Sequence, residues 1–328
     1  MSIGGMVTDA PIPYAVVTVT VGGQTYSTIA DADGIYSLDI ATTQPEQLVT
    51  INATDDEVVD FYSIVGTFSQ LVESTGGGNP AGSSNNPNLN VTNVSTAKYS
   101  LLLEANDGNP PATEEQLRDA EGSVDATAML ERAAIIKLIV DNPAYSLPTG
   151  VDNVFELLAD TTLYETYVEE VNANDPAALE VAILEILSDT DLTPGYAVTD
   201  IPSVFYSVPA AAPGFMARGG ETLEFDLPYV EGANNTGTLL TSNQGNPISQ
   251  TFSWILESGK LIVNFDLPLS FDNFVEIEDT TATVDQINLW HDLSYGQFSS
   301  TSTLSSRTYF LISTGSQTDF VSVEFDSV

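Results

Sequence analysis

One histidine, His291, and no cysteine are all that this 328-residue sequence offers to imidazole and thiol chemistry. Disulfides, thiolate catalysis and zinc–thiolate sites are thereby excluded, and a transition metal has almost nothing to hold it. Any imidazole base or triad must use His291, and no Gly-x-Ser-x-Gly elbow supplies a nucleophile for it. In the alternating stretch Asp285 to Leu293, His291 shares a face with Ile287, Leu289 and Leu293, the setting of a hydrogen-bonded core histidine. Trp290 falls on the opposite face with Asn288 and Asp292. An aromatic ring beside polar groups can stack on a sugar, so Trp290 and Asp292 form a candidate ligand site; packing against a neighbouring domain is the competing reading.

Carboxylates are the abundant chemistry. Asp31-Ala-Asp33-Gly34 has the oxygen donors that calcium takes, and Asp31 and Asp33 are the candidate metal ligands. The helix–loop–helix calcium pattern also wants a donor at Ile29 and a bidentate Glu at Ile40, and neither is present. The same four residues suit a tight turn, because Asp bonds its own backbone and Gly accepts positive φ. Asp55-Asp56-Glu57 and Glu276 with Glu278 and Asp279 are further acidic clusters that read as solvated faces. Paired carboxylates for glycoside hydrolysis stay open, since spatial pairing is invisible in sequence. Gly76-Gly77-Gly78 lacks the Lys and the helix that a phosphate loop needs.

The balance of 46 acidic against seven basic residues sets the net charge at −39. That excludes nucleic acid, whose phosphates need Lys and Arg, and docking on anionic membranes. The most apolar window, Ala126 to Val140, is broken by Glu131, Arg132 and Lys137, so no segment spans a bilayer. Hydrophobic residues still make up 42%, enough for true cores. Scarce Lys with abundant Asp, Thr, Ser, Asn and Gly suits an exported protein in a salty medium, where screening weakens self-repulsion; a halophile's cytosolic protein is the alternative. The first residues show no basic n-region and no apolar h-region. The expectation is therefore an extracellular or outer-surface protein whose signal segment is not part of this chain.

Three zones must position these residues. Residues 1–75 alternate with period two: Val17, Val19 and Val21 face one way, Gly22-Gly23 turns the chain, and Tyr26 and Thr28 return. Tyr36, Leu38 and Ile40 and the stretch Leu48 to Ala53 follow, while Phe61 to Val72 fits strand or helix. Residues 76–93 read as a Gly/Asn/Ser/Pro linker or loop. Residues 94–190 are helical. Thr113 opens one helix, another runs from about Val124 to Asp141, Asp152 caps a third, and Asp175-Pro176 starts the last. Residues 195–328 return to period two as eight to ten short strands, with Phe252, Trp254 and Leu256 on one face, a turn at Ser258-Gly259, and Leu261, Val263 and Phe265 coming back. The fold class is thus multi-domain and mainly β with a helical middle: an N-terminal β-sandwich, a central α-helical segment and a C-terminal antiparallel barrel or sandwich.

Gly5-Met6-Val7-Thr8-Asp9-Ala10-Pro11-Ile12-Pro13-Tyr14-Ala15-Val16-Val17, with the later Asp31-Ala-Asp33-Gly34-Ile35-Tyr36-Ser37-Leu38, resembles the opening of carboxypeptidase-regulatory-like, transthyretin-type β-sandwich modules. Such modules are non-catalytic appendages of secreted and cell-surface proteins. The overall order resembles exported lipoproteins of marine Gram-negative bacteria, through Val94-Ser95-Thr96-Ala97-Lys98-Tyr99, the helix end Ile135 to Asn142 with Leu147-Pro148-Thr149-Gly150, and a late Trp strand. Those proteins carry a lipid-bearing cysteine, and this sequence has none. The function expected is non-enzymatic, by binding a surface polysaccharide or protein or by self-association through a β-edge. The alternative is a secreted hydrolase using paired Asp/Glu carboxylates in the C-terminal β-domain. If Val16 to Val21, a strand without charge, lies at an edge, it is a ready partner for an extended segment of a neighbouring subunit, with Met1 to Ile12 one candidate; a monomer with this strand in the sheet interior is the competing reading.

Overall fold

The structure is a computed structural model. It describes residues 1–55, 58–75, 80–83, 86–189, 191–192, 203–207, 221–230, 235–243, 246–257, 260–278, 295–313 and 318–323. The chain divides into two compact units, Met1–Pro194 with Ile312–Asp319, and Gly195–Leu311 with Phe320–Val328.

The first unit opens with β1 (Ser2–Thr8), β2 (Val16–Val21), β3 (Gln24–Ile29), β4 (Ile35–Asp39), β5 (Leu48–Thr54) and β6 (Asp60–Thr67). They form two sheets: β3-β2-β5-β6, and β4-β1 with the short β7 (Val91–Thr92). Period-two patterning sets the inward face, so Val17, Val19 and Val21 of β2 lie in register with Ala53, Ile51 and Val49 of β5, and all six are buried. Gly22 and Gly23 both have positive φ (54° and 79°), the conformation that closes a two-residue hairpin between twisted strands.

The helices pack on this body. They are α1 (Phe68–Ser74), α2 (Asn93–Ala105), α3 (Glu114–Glu121), α4 (Ala126–Asp141), α5 (Val154–Ala159), α6 (Thr161–Asn174) and α7 (Ala178–Ser188). Most begin on a side-chain cap: Thr67, Thr92, Thr113, Asp125, Asn153 and Asp160 each accept from a backbone N–H of the first turn. The ambiguous stretch Phe61 to Val72 is both elements, strand to Thr67 and then helix, switched by the reciprocal Thr67–Gln70 capping bonds.

Several expectations are corrected. Asn153, not Asp152, caps α5. Asp175 ends α6, and α7 begins only at Ala178. Residues 86–92 are not linker: Leu89 and Val91 are fully buried, and Val91–Thr92 adds to β1 in parallel. The sheets and helices fall in one unit, with α2 packed directly on β6. β2 lies in the sheet interior, between β3 and β5, and Met1 to Ile12 is no free arm because β1 is the central strand of its sheet.

The second unit is a seven-stranded antiparallel sheet, in the order β14-β13-β12-β11-β10-β9-β8. Its strands are β8 (Val204–Ser207), β9 (Glu221–Phe225), β10 (Asn235–Asn243), β11 (Asn246–Glu257), β12 (Lys260–Glu278), β13 (Tyr295–Ser313) and β14 (Thr318–Val323). Among the described residues no pairing closes it into a barrel. Phe252, Trp254, Leu261, Val263 and Phe265 share a buried face with Leu223, Phe225 and Leu239, as the alternation requires. Gly237 is opposite Phe252 in register, and a Cβ there would collide with the Phe252 ring and with the Glu224 carbonyl. β12 and β13 are each 19 residues long, so this zone is not built of short strands throughout.

Candidate functional site

The open side of the four-stranded sheet carries an exposed edge strand. β3 is the terminal strand there, and its Thr25, Ser27 and Ile29 are exposed. Ile29 is opposite Val16 in register, and the pair is 64% and 46% exposed. Tyr14 (67%) and Ile35 (49%) add to the exposed apolar surface of this region. Tyr14 has a φ of 62°, unusual for an aromatic residue, and its N–H donates to the Asp31 carbonyl at 3.2 Å.

Asp31 explains that loop. Its Oδ1 accepts from the N–H groups of Asp33 and Ile35, both at 2.9 Å, and Gly34 follows at φ 75°. This is the local side-chain bond that makes Asp a turn residue. Asp33 is exposed. Among the described residues, no group of three or more His, Cys, Asp or Glu is arranged to hold a metal ion. Asp55 works as Asp31 does, its Oδ1 accepting from Val59 N–H at 2.9 Å.

The other edge of this sheet is closed. On β6, Tyr62 N–H donates to Thr96 Oγ1 (3.0 Å), and the Tyr62 carbonyl accepts from Ser95 Oγ (2.7 Å). Asn86 Nδ2 reaches the Val65 carbonyl at 3.2 Å. The Tyr62 ring stacks on Tyr99, centroids 4.9 Å apart and 7° from parallel, and meets Phe155 at 4.5 Å. Helix α2 therefore supplies the hydrogen bonds that another strand would have made.

A buried charge cluster lies under the helices, and sequence reasoning missed it. Asp9 is only 2% exposed; its Oδ1 accepts from Asn93 Nδ2 at 2.6 Å and stands 3.7 Å from Lys137 Nζ. Its Oδ2 has no hydrogen-bond partner. Burial, reinforced by the nearby Asp141 and opposed by Lys137, pushes the Asp9 carboxyl up to about 7. Lys137 is paired more closely with Asp141 (2.6 Å) and reaches Glu185 at 3.9 Å. These three line a cavity of about 240 Å³ between α4 and α7, with Leu138, Tyr145 and Val181 on its walls. The lining holds no Ser, Thr, Cys or His, and its Lys137 is engaged with Asp141 and Glu185. The signal available in sequence was that Asp9 is the lone charged side chain of the first thirty residues.

Trp290, His291 and Asp292 lie outside the described residues, as do Asp56, Glu57, Asp279 and the turn at Ser258-Gly259. Glu276 and Glu278 lie on β12. On the polar face of the second unit, Asp226 accepts from the Thr236 hydroxyl at 2.6 Å and Asp266 from the Thr251 hydroxyl. No described helix is long and apolar enough to cross a membrane. Compared with known protein families, with curated proteins and with solved structures, the chain matches none.

Proposed function

We propose that the protein is a non-enzymatic, exported cell-surface or extracellular-matrix protein that works by binding or assembly through its β-sheets. The observation that carries this reading is the β3 edge: an outermost strand with exposed Thr25, Ser27 and Ile29, no charged side chain, and exposed Tyr14, Val16 and Ile35 nearby. Natural edges are usually guarded by charge, Pro or covering structure, because unpaired N–H and C=O groups recruit other strands. β6 is guarded in that way by α2, whereas β3 has no strand hydrogen-bonded beyond it, although β4 runs close by and the Tyr26 hydroxyl donates to the Ala41 carbonyl. The net charge of −39 with so few lysines fits a salty exterior, where close approach of acidic surfaces is screened.

Two measurements test the reading. Protease added to intact producing cells should remove the protein, and a panel of polysaccharide and ester substrates should show no turnover. Turnover that a single Asp or Glu substitution abolishes would establish the hydrolase instead, and protection from external protease would place the protein inside the cell.

A further inference from the structure

We infer that β3 pairs antiparallel with β3 of a second copy of this chain, across a two-fold axis at Ser27. This rests on the reading that the protein acts through its β-sheets, and it adds the partner, the strand and the register.

The free groups can be assigned from the ladder. Ala30 N–H donates to the Ala15 carbonyl at 2.9 Å, which marks Ala15 and Ala30 as a hydrogen-bonded pair. Pair types alternate along antiparallel strands. Val17 with Thr28, Val19 with Tyr26 and Val21 with Gln24 are therefore the bonded pairs inside the sheet. Thr25, Ser27 and Ile29 turn their N–H and C=O groups outward, where the sheet has no further strand. A two-fold axis at Ser27 sets Thr25 opposite the second copy's Ile29 and Ser27 opposite its own counterpart. All three outward positions then exchange bonds, joining two four-stranded sheets into one of eight. Val16 and Ile29 lie on the same face as Ser27, so the exposed apolar pairs of both copies flank the axis on one side.

Charge selects the occupant. From Ala10 to Ala30 the chain has no ionisable side chain other than Tyr14 and Tyr26, although the whole carries −39. A basic peptide would be drawn to the acidic surfaces elsewhere and finds nothing here to neutralise. Two copies, by contrast, can bring these strips together with no like charges in contact, and the strip is an uncharged extended segment already in strand conformation. The remaining edges of these two sheets fit less well: β6 is covered, β7 has two residues, and β4 ends in exposed Asp39.

One six-residue edge buries less than the roughly 1,200 Å² of a standard interface, so the pair is weak. Repulsion between the two chains acts over a Debye length of about 10 Å at 0.1 M salt and about 3 Å at 1 M, so the pair forms in high salt.

The test is light scattering of the full chain at low salt and at about 1 M NaCl. Expected is a monomer at low salt and a twofold mass at high salt and high concentration. Ser27→Lys should return the monomer even though it lowers the net charge that opposes assembly; Ser27→Pro, which removes an outward N–H, should do the same. Thr25→Lys replaces either variant if its circular dichroism shows that it does not fold. A spin label on Ser27→Cys, the only thiol in the chain, should report a short label-to-label distance at high salt. A monomer under every condition overturns the inference and leaves the surface-binding reading standing. A dimer that survives both Ser27 variants, or a long label distance, overturns the strand and the axis. Hydrolytic turnover overturns the functional reading whatever the mass.

Discussion

Asp9 shows how a residue that belongs to no catalytic or turn motif can control stability. Its carboxyl is held near 7, against an ordinary value near 4, because the folded state strips its water and leaves Oδ2 unpaired. The folded protein therefore holds this proton more tightly than the unfolded chain. The stabilisation is fully present below about pH 4 and is lost as pH rises to about 7, some three units or roughly 4 kcal/mol at most. Asp9→Asn mimics the protonated form and can still accept from Asn93. Thermal melts should find the variant close to wild type at pH 5 and several degrees more stable at pH 8; parallel curves across that range would refute the assignment. Lys98 and Glu121 are a different case, a well-formed pair at 2.9 Å with side chains 8% and 13% exposed. Lys98→Met strands Glu121 and should cost roughly 3–5 kcal/mol in urea unfolding, most of it recovered by adding Glu121→Leu. Neither pairing was legible beforehand. Asp9 and Asn93 lie 84 residues apart, and nothing local records that the fold brings them together. Asp31 was legible, because its bonds are to its own turn.

At the scale of elements, what sequence reveals is what neighbours in the chain decide. The Gly22-Gly23 hairpin and the helix start at Thr113 follow from backbone freedom and a local cap, and they stand where the residues place them. Asp175-Pro176 misleads because Asp175 serves the end of α6, leaving α7 to start without a side-chain cap. The length of β12 is hidden by Pro268, which reads as a break; the pairing with β13 absorbs it by shifting register between Asn264 and Leu269. Which strand is outermost is a long-range outcome: β5, arriving 27 residues after β2 ends, takes its free side and leaves β3 at the edge. The closed edge makes a prediction of its own. Thr96 is fully buried and gives Tyr62 N–H its acceptor. Thr96→Val keeps the shape and removes the bond, so urea unfolding should show a loss of about 1–3 kcal/mol, the cost of an unpaired buried donor. No loss would mean that the β6 edge does not depend on α2.

The whole molecule is governed by an excess of like charge. Four of the seven basic side chains fall between Lys98 and Lys137, and three of those hold helices together through Glu121, Glu104 and the Asp9–Asp141–Glu185 group. These three basic residues therefore act as ties between elements. Folding gathers 46 carboxylates into a smaller volume than the unfolded chain occupies, so the native state gathers counterions more strongly, and ions that prefer it stabilise it by linkage. Sodium chloride should accordingly raise the melting temperature from low salt to about 1 M, with most of the gain complete once the Debye length falls to roughly 4–5 Å. Calcium at matched ionic strength should add a further rise, since a divalent ion neutralises two carboxylates at once, and chelator should remove that increment. The two arms separate two mechanisms. A rise with sodium and none beyond it with calcium would mean that diffuse screening alone relieves the repulsion. A melting temperature indifferent to both would mean that the carboxylates are already spaced widely enough to coexist, and the argument for a salty working environment would lose its physical basis.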